Sequence, residues 1–373
     1  MGKDIAFAGM DVHKGSISVA VLKAEGGELV EWKTANGTKE LGKLGRRLLR
    51  EGGDGVRACY EAGPCGYRVQ RVLREMGVDC VVVAPSMTPV KPGERVKTDQ
   101  RDARKLAKLL RSGELTEVHP PTSQEEAVRD LCRAREDAQE DLMRCRHRLT
   151  KMLLRRGITY PGKHHWGRAH EQWLRSVQMD DPAERVVFAD YLLAIAQLDE
   201  RLKHLAGALA TRAQEEPYRT PVGWLRCFRG IDTLTAMTIV TELHGFARFR
   251  TARDLMAYLG LVVSEHSSGT SVHRGGLTKT GNGHVRRILV QCAWHYPLAP
   301  AVGVALRQRR EGQPGWVLAI ADRAQQRLHR RYWRLVLGSK KPTQKAVTAV
   351  ARELVGFIWA VLSRTAAPIS AAA

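Results

Sequence analysis

The first eighty-odd residues alternate short apolar runs with amphipathic ones, and that rhythm restricts the fold more than any other feature of the chain. Ile5 to Val12 is an apolar run carrying Asp11, and Ser16 to Leu22 is a second, reached through the polar turn His13-Lys14-Gly15, so the pair predicts a hairpin. Glu28 to Thr34 predicts a third strand and Lys39 to Leu49 an amphipathic helix, ended by Gly52, Gly53 and Gly55. Val56 to Tyr60 reads as a strand leading to Glu61, Tyr67 to Met76 as a helix, and Asp79 to Val83 as a strand closed by Pro85. The order β-β-β-α-β-α-β predicts a mixed sheet flanked by helices.

The stretch from Lys97 to Ser112 follows and predicts another helix. Thr98 or Asp99 can cap free N–H groups, and Ala103, Leu106, Ala107, Leu109 and Leu110 recur at helical spacing. Asp99 and Asp102 then share a face, where two carboxylates repel unless a cation sits between them. Asp11 in the first strand, Glu61 after the fourth, and this helical pair could meet at one point. In an RNase H-like or RuvC-like fold such an order builds a site for two Mg²⁺ ions, with Mn²⁺ as a substitute. Each acid taken singly reads more readily as a turn or cap residue, but taken together that reading needs four coincidences.

Charge identifies the partner class. The chain of 373 residues has 60 Lys and Arg against 39 Asp and Glu, a formal charge of +21, and a pI of about 10.0, which points to a polyanion. No apolar run reaches the roughly 20 residues of a spanning helix and no signal-peptide core precedes the first strand, so a cytoplasmic, nucleoid-associated chain without a membrane partner is expected. Seven cysteines form no C-x-x-C pair, and read as reduced, buried thiols. His164 and His165 lack partners at ligand spacing and read as surface or RNA-facing residues.

Gln124 to Arg155 and Glu184 to Ala210 predict two long amphipathic helices, suited to an antiparallel pair or an intermolecular coiled coil. The insert between them interleaves Tyr160, Lys163, His164, His165, Trp166, Arg168 and Trp173, a composition that suits stacking on unpaired bases or a packed connector. Leu225 to Ala236 has the look of a helix-hairpin-helix turn. Gly260 to Lys279 predicts a long polar loop with Ser264, Ser267, Ser268 and Ser271 among cations, where a serine could attack phosphorus or the loop could merely contact phosphate. The rest, Val285 to Leu362, reads as helical with basic faces, including Arg307, Arg309, Arg310, Arg327, Arg330 and Arg331.

Gly9-Met10-Asp11-Val12-His13-Lys14, Tyr60-Glu61-Ala62-Gly63 and Lys97-Thr98-Asp99-Gln100-Arg101-Asp102-Ala103 resemble the three acidic motifs of the DEDD transposases of the IS-one-ten insertion-sequence family. Gly260-Leu261, Ser264-Glu265-His266-Ser267-Ser268-Gly269 and Leu277-Thr278-Lys279-Thr280-Gly281-Asn282 resemble its serine-bearing domain. The resemblance implies a RuvC-like DEDD nuclease domain over 1–122, a coiled-coil domain with the basic, aromatic insert over 123–215, and a mostly helical serine transposase domain over 216–373. It implies Asp11, Glu61, Asp99 and Asp102 as catalytic metal ligands and Ser268, before the Gly of the Ser-Gly pair, as nucleophile in preference to Ser267. It also implies a bridge RNA that pairs with donor and target DNA, and recombining two duplexes calls for a dimer or tetramer. Candidate nucleic-acid contacts are Arg274, Lys279, Asn282, Arg286, Arg287, Lys163 and Arg168. The chain departs from the family at Arg229-Gly230-Ile231-Asp232, often Pro-Gly-Ile-Gly, and at Val263, often Pro. A hydrolytic RuvC-like nuclease or junction resolvase, and a non-catalytic nucleic-acid-binding protein, stand as alternatives.

Overall fold

The structure is a computed structural model describing residues 5–23, 28–89, 98–268 and 271–364, so Lys97 and Gly269 of the sequence motifs lie outside the described residues. The chain divides into two compact units, Met1–Pro120 and Pro121–Ala373.

The first unit is a mixed α/β sheet compatible with a RuvC-like start. It runs β1 (Ala6–Val12), β2 (Ser16–Leu22), β3 (Leu29–Ala35), α1 (Thr38–Gly52), β4 (Val56–Glu61), α2 (Arg68–Glu75), β5 (Asp79–Val83), α3 (Asp99–Ser112) and β6 (Glu117–Val118). Spatial order is β3-β2-β1-β4-β5-β6. The β1–β2, β2–β3 and β5–β6 pairs are antiparallel, and β1–β4 and β4–β5 are parallel. Strand alternation sorts side chains to two faces. Ala6, Ala8 and Met10 pack with Leu41, Leu44 and Leu48 of α1 and Val69 and Leu73 of α2. Phe7 and Cys59 face the other way, packing with Leu106 and Leu110 of α3. Burying those two leucines contributes about 1.5–3 kcal/mol each, before the entropy of ordering the helix is set against it. Gly113, at φ 71°, ends α3 in the left-handed conformation that glycine adopts without strain.

The second unit is mostly helical: α4 (Ser123–Arg155), α5 (Arg168–Ser176), α6 (Pro182–Arg212), α7 (Arg219–Leu225), α8 (Thr233–Leu243), α9 (Ala252–Tyr258), β7 (Val263–Glu265), β8 (Arg274–Leu277), α10 (Gly283–Ala293), α11 (Val304–Arg310), α12 (Gly315–Trp333) and α13 (Thr343–Leu362). Arg156 pairs with Glu184 and Arg146 with Asp199, so α4 and α6 run antiparallel. Leu142, Leu149, Met152, Phe188 and Ile195 fill the seam between them. Val128 and Cys132 of α4 and Leu209 of α6 join the core that α7–α13 share. Among the described residues no helix is long and apolar enough to cross a membrane. Six of the seven cysteines are buried and all are free.

Two expectations are corrected. The 260–279 segment is not simply a loop: β7 and β8 pair antiparallel with an irregularity at Val263/Glu265, and the pairing continues outward through His266 N–H to His273 O at 2.9 Å. Such short, Gly- and Ser-rich strands lack the β-branched pattern that marks a strand in sequence. The arginines assigned to free basic faces are largely bound within the protein. Arg309 donates to Ile231 O at 2.8 Å, Arg310 to Cys227 O at 3.1 Å and to Asp322 at 2.6 Å. Arg327 and Arg331 each reach Glu353 at 3.0 Å.

Candidate metal centre and serine hairpin

Asp11 and Asp99 meet because α3 lies directly on β1 at Gly9. A Cβ at that position would stand 2.1 Å from Ala103 O and 2.4 Å from Ala107 N, so any other residue would hold the helix away. Thr98 Oγ1 accepts from Arg101 N at 3.3 Å and caps α3. Arg104 forms an ion pair with Glu31 of β3, tying the helix across the sheet. The N-terminal turn of α3, holding Asp99 and Asp102, is thereby placed beside the end of β1.

Asp11 lies two residues after Gly9 and hence on the α3 face of β1. The sheet register Asp11↔Ser18 and Ser18↔Lys33 carries that row to β3. There Lys33 Nζ donates to Asp99 Oδ2 at 3.1 Å. His13 Nε2 stands 3.1 Å from Asp11 Oδ2 and 3.7 Å from Asp99 Oδ1. One ligand atom each from Asp11, His13 and Asp99 all lie within 4.8 Å of one another. Burial pushes the Asp11 carboxyl up from its ordinary value, and the charges of Asp99 and Asp102 push the same way against the hydrogen bond and charge of His13. The Lys33 hydrogen bond, with its charge and that of His13, holds the exposed Asp99 carboxyl below its ordinary value.

Glu61 and Asp102 are outside the 4.8 Å group among the described residues. Glu61 follows Tyr60, which registers with Met10, so it sits level with Asp11 on the neighbouring parallel strand. It shares the face of Cys59, whose thiol lies 3.7 Å from Leu106 O of α3. Asp102 is near enough for its charge to act on Asp11. The donor set is carboxylate oxygen with one imidazole, which fits a hard divalent cation held by oxygen. His13 lies in the turn between β1 and β2, as the sequence predicts, and its place two residues past Asp11 was the available signal that it joins the acids. Lys33 had none, because only the β2–β3 register brings it there.

Ser268 stands at the outer end of the β7–β8 hairpin. Its N–H donates to Ser271 O at 3.1 Å and its carbonyl accepts from Ser271 N–H at 3.0 Å. Ser268 is exposed, and its hydroxyl has no partner among the described residues. Ser267 differs: its hydroxyl donates to Glu265 Oε1 at 2.8 Å. Glu265 also accepts from Arg274 Nε at 3.4 Å.

The base of the hairpin is anchored. Gly281 has φ 66°, and a Cβ there would lie 1.9 Å from Tyr258 O. Asn282 Oδ1 accepts from Val285 N at 3.0 Å and caps α10, while its Nδ2 donates to Glu242 Oε2 at 3.0 Å. Arg133 Nε donates to the same carboxylate at 2.7 Å. Arg286 donates to Leu259 O at 2.8 Å and Thr280 O at 3.0 Å, and Arg287 to Glu136 at 2.6 Å. Of the expected nucleic-acid contacts, Asn282 and Arg286 therefore serve the fold, whereas Lys279, Lys163 and Arg168 are exposed. At the family departure in the α7–α8 turn, Asp232 accepts from Thr235 N at 2.8 Å and caps α8, a task glycine performs without a side chain.

A mixed sheet with Asp11 at the end of a central strand and Asp99 on the helix packed across it suits the DEDD class of transposases, and the IS110 family profile of that class, described as "Transposase", matches residues 8–157. A second profile, "Transposase IS116/IS110/IS902 family", matches residues 224–299. The chain is 41% identical over 361 residues to a putative transposase, y4qE, of Sinorhizobium fredii, covering 95% of this chain and 88% of that one. It is 35% identical over 345 residues to the transposase for insertion sequence element IS1533 of Leptospira borgpetersenii, covering 90% and 98%. It is 23% identical over 372 residues to the transposase for IS1111A of Coxiella burnetii, covering 97% and 91%. The chain belongs to the IS110 family of insertion-sequence transposases, enzymes whose substrate is DNA.

Proposed function

We propose that this transposase cleaves and exchanges DNA strands through a covalent phosphoserine, using Mg²⁺ or Mn²⁺ held by Asp11, Glu61, Asp99 and Asp102. The observation that carries the reading is the convergence of Asp11, His13 and Asp99 within 4.8 Å, with Asp102 close enough to act on Asp11. A divalent cation bound there supplies charge neutralisation at the oxygens of the scissile phosphate.

Asp11 and Asp99 would hold that cation beside the phosphate, with His13 fixing the Asp11 carboxylate. Ser268 Oγ attacks phosphorus: an Oγ–P bond forms, the bond from phosphorus to one DNA oxygen breaks, and the serine proton ends on that leaving oxygen. A second DNA hydroxyl then attacks the phosphoserine, forming the new phosphodiester and returning the proton to Ser268. One ester replaces another at each step, so no nucleotide hydrolysis is required. The exposed, unpartnered hydroxyl of Ser268 suits a nucleophile better than that of Ser267, which Glu265 engages. The chemistry requires the hairpin to reach the carboxylates, within one chain or between copies of a dimer or tetramer. Donor and target duplexes are selected by pairing with a bridge RNA, and the α7–α8 turn acts as a helix-hairpin-helix phosphate contact.

The test is incubation of the chain with labelled DNA spanning an element junction, RNA transcribed from the element's flank, and Mg²⁺. The wild type leaves a denaturant-resistant protein–DNA adduct; Ser268→Ala gives none, and Asp11→Asn gives neither adduct nor cleavage. Free phosphate ends made by Ser268→Ala would replace the phosphoserine route with hydrolysis, and cleavage by Asp11→Asn would remove the metal reading.

A further inference from the structure

The insert between α4 and α6 carries a cavity of about 230 Å³, smaller than the roughly 300–1,000 Å³ of a drug-sized ligand site and suited to one ring system. One side of its wall is aromatic. His170 sits at the centre, with ring centroids 4.7 Å from Tyr160, 4.8 Å from Trp166, 4.9 Å from His165 and 5.4 Å from Trp173. We propose that this cavity receives one unpaired nucleobase from a nucleic-acid strand.

Three observations carry the assignment. His170 is 3% exposed and lines the cavity, yet its Nδ1 has no hydrogen-bond partner among the described residues. A buried polar atom left without a partner is destabilising, and the donor and acceptor edge of a base would satisfy it where an aliphatic side chain would not. Trp166 has φ 64°, a conformation rare for a bulky residue, so the loop bears strain to hold that ring in the wall. Residues 151–175 contain six Lys and Arg, including the exposed Lys163 and Arg168, against the single acid Glu171. Aromatic faces for a base beside cations for its phosphates are the two components of single-strand binding sites. The seam side of the cavity, by contrast, is aliphatic and fixed: Leu149, Leu153 and Leu174 belong to the core that joins α4 to α6.

The inference deepens the proposed function and rests on it, since a strand with unpaired bases is what a guide RNA or a cleaved duplex presents. The experiment uses the full chain with a single-stranded RNA carrying 4-thiouridine and a DNA strand carrying 4-thiothymidine, followed by irradiation and peptide mapping. Adducts are expected within residues 160–173, and which strand forms them identifies RNA or DNA as the source. Leu154→Trp alters only the cavity's lip, where Leu154 is 52% exposed, and is expected to reduce those adducts roughly tenfold or more while leaving the fold intact. His170→Phe keeps the ring packing, removes the polar edge, and is expected to do the same. Strands that bind but crosslink only elsewhere would overturn the pocket and leave the transposition mechanism standing; no binding of either strand would overturn both. A change of oligomeric state in Leu154→Trp with unchanged crosslinking would give the cavity to a second copy of the chain and overturn the proposal.

Discussion

A methyl group on Gly9 would occupy space that the α3 backbone already fills, so Gly9→Ala is expected to lift the helix and cost about 3 kcal/mol, the upper end of overpacking penalties. Because α3 carries Asp99 and Asp102, Mg²⁺-dependent cleavage is expected to fall well before the unit unfolds; calorimetric Mg²⁺ titration of a folded variant checks this, and unchanged affinity would separate the helix from the site. Asp11 and Asp99, the two acids that stand within 4.8 Å of each other, could be picked from the sequence because each sits in a short local motif. His13 does lie in the turn between β1 and β2, as its composition indicates; its approach to Asp11 and Asp99 is what composition does not carry. Lys33 could not be found at all, because its approach to Asp99 depends on two strand registers. Arg309, Arg310, Arg327 and Arg331 misled for a related reason: composition counts charge and does not reveal which charges are already engaged by carbonyls and carboxylates within the fold.

At the level of elements, two anchors set where the chemistry stands. The first is the cap of α3. Thr98→Ala removes the acceptor for Arg101 N and is expected to cost about 1 kcal/mol, loosening the turn that presents Asp99 and Asp102. Mg²⁺ affinity should weaken while the circular dichroism of the chain stays the same, whereas equal affinity would make the cap irrelevant to the site. The second anchor is Glu242, with 2% of its side chain exposed, joining Arg133 of α4 to Asn282 at the start of α10. Burial raises its pKa, but hydrogen bonds from Arg133 and Asn282 and the charges of Arg133 and His284 outweigh it and hold the carboxyl below its ordinary value. A depressed acid contributes stability above its unfolded pKa, near 4.3 for glutamate, and loses it as pH falls through the folded value. Glu242→Gln is therefore expected to cost about 1.5–3 kcal/mol at neutral pH, with the gap to the wild type narrowing below about pH 4 in thermal melts. A gap that stayed constant with pH would assign the loss to packing rather than charge. Helices and central strands were legible because their periodicity runs over many residues. The β7–β8 hairpin was not, since its strands span only three and four residues, too few to show a period.

For the whole molecule, the excess positive charge is unevenly divided. Residues 1–120 hold 21 Lys and Arg against 16 Asp and Glu, while residues 121–373 hold 39 against 23, so most of the +21 belongs to the second unit. The unit with the carboxylate cluster is close to balanced, as a site that must admit both a cation and a phosphate can be. If the second unit supplies the phosphate contacts, affinity for DNA should fall steeply with salt, because each neutralised phosphate contributes about 0.9 to the slope of log affinity against log salt. Replacing Lys163 and Arg168 by Gln is expected to reduce that slope by about 2, roughly one for each phosphate no longer neutralised. Replacing Lys43 and Arg46, exposed on α1, by Gln removes the same net charge and is expected to leave the slope unchanged. Fluorescence anisotropy over a salt series compares the two pairs directly. Equal reductions would mean that only total charge matters, and that the basic insert is no more a binding surface than any other face of the chain.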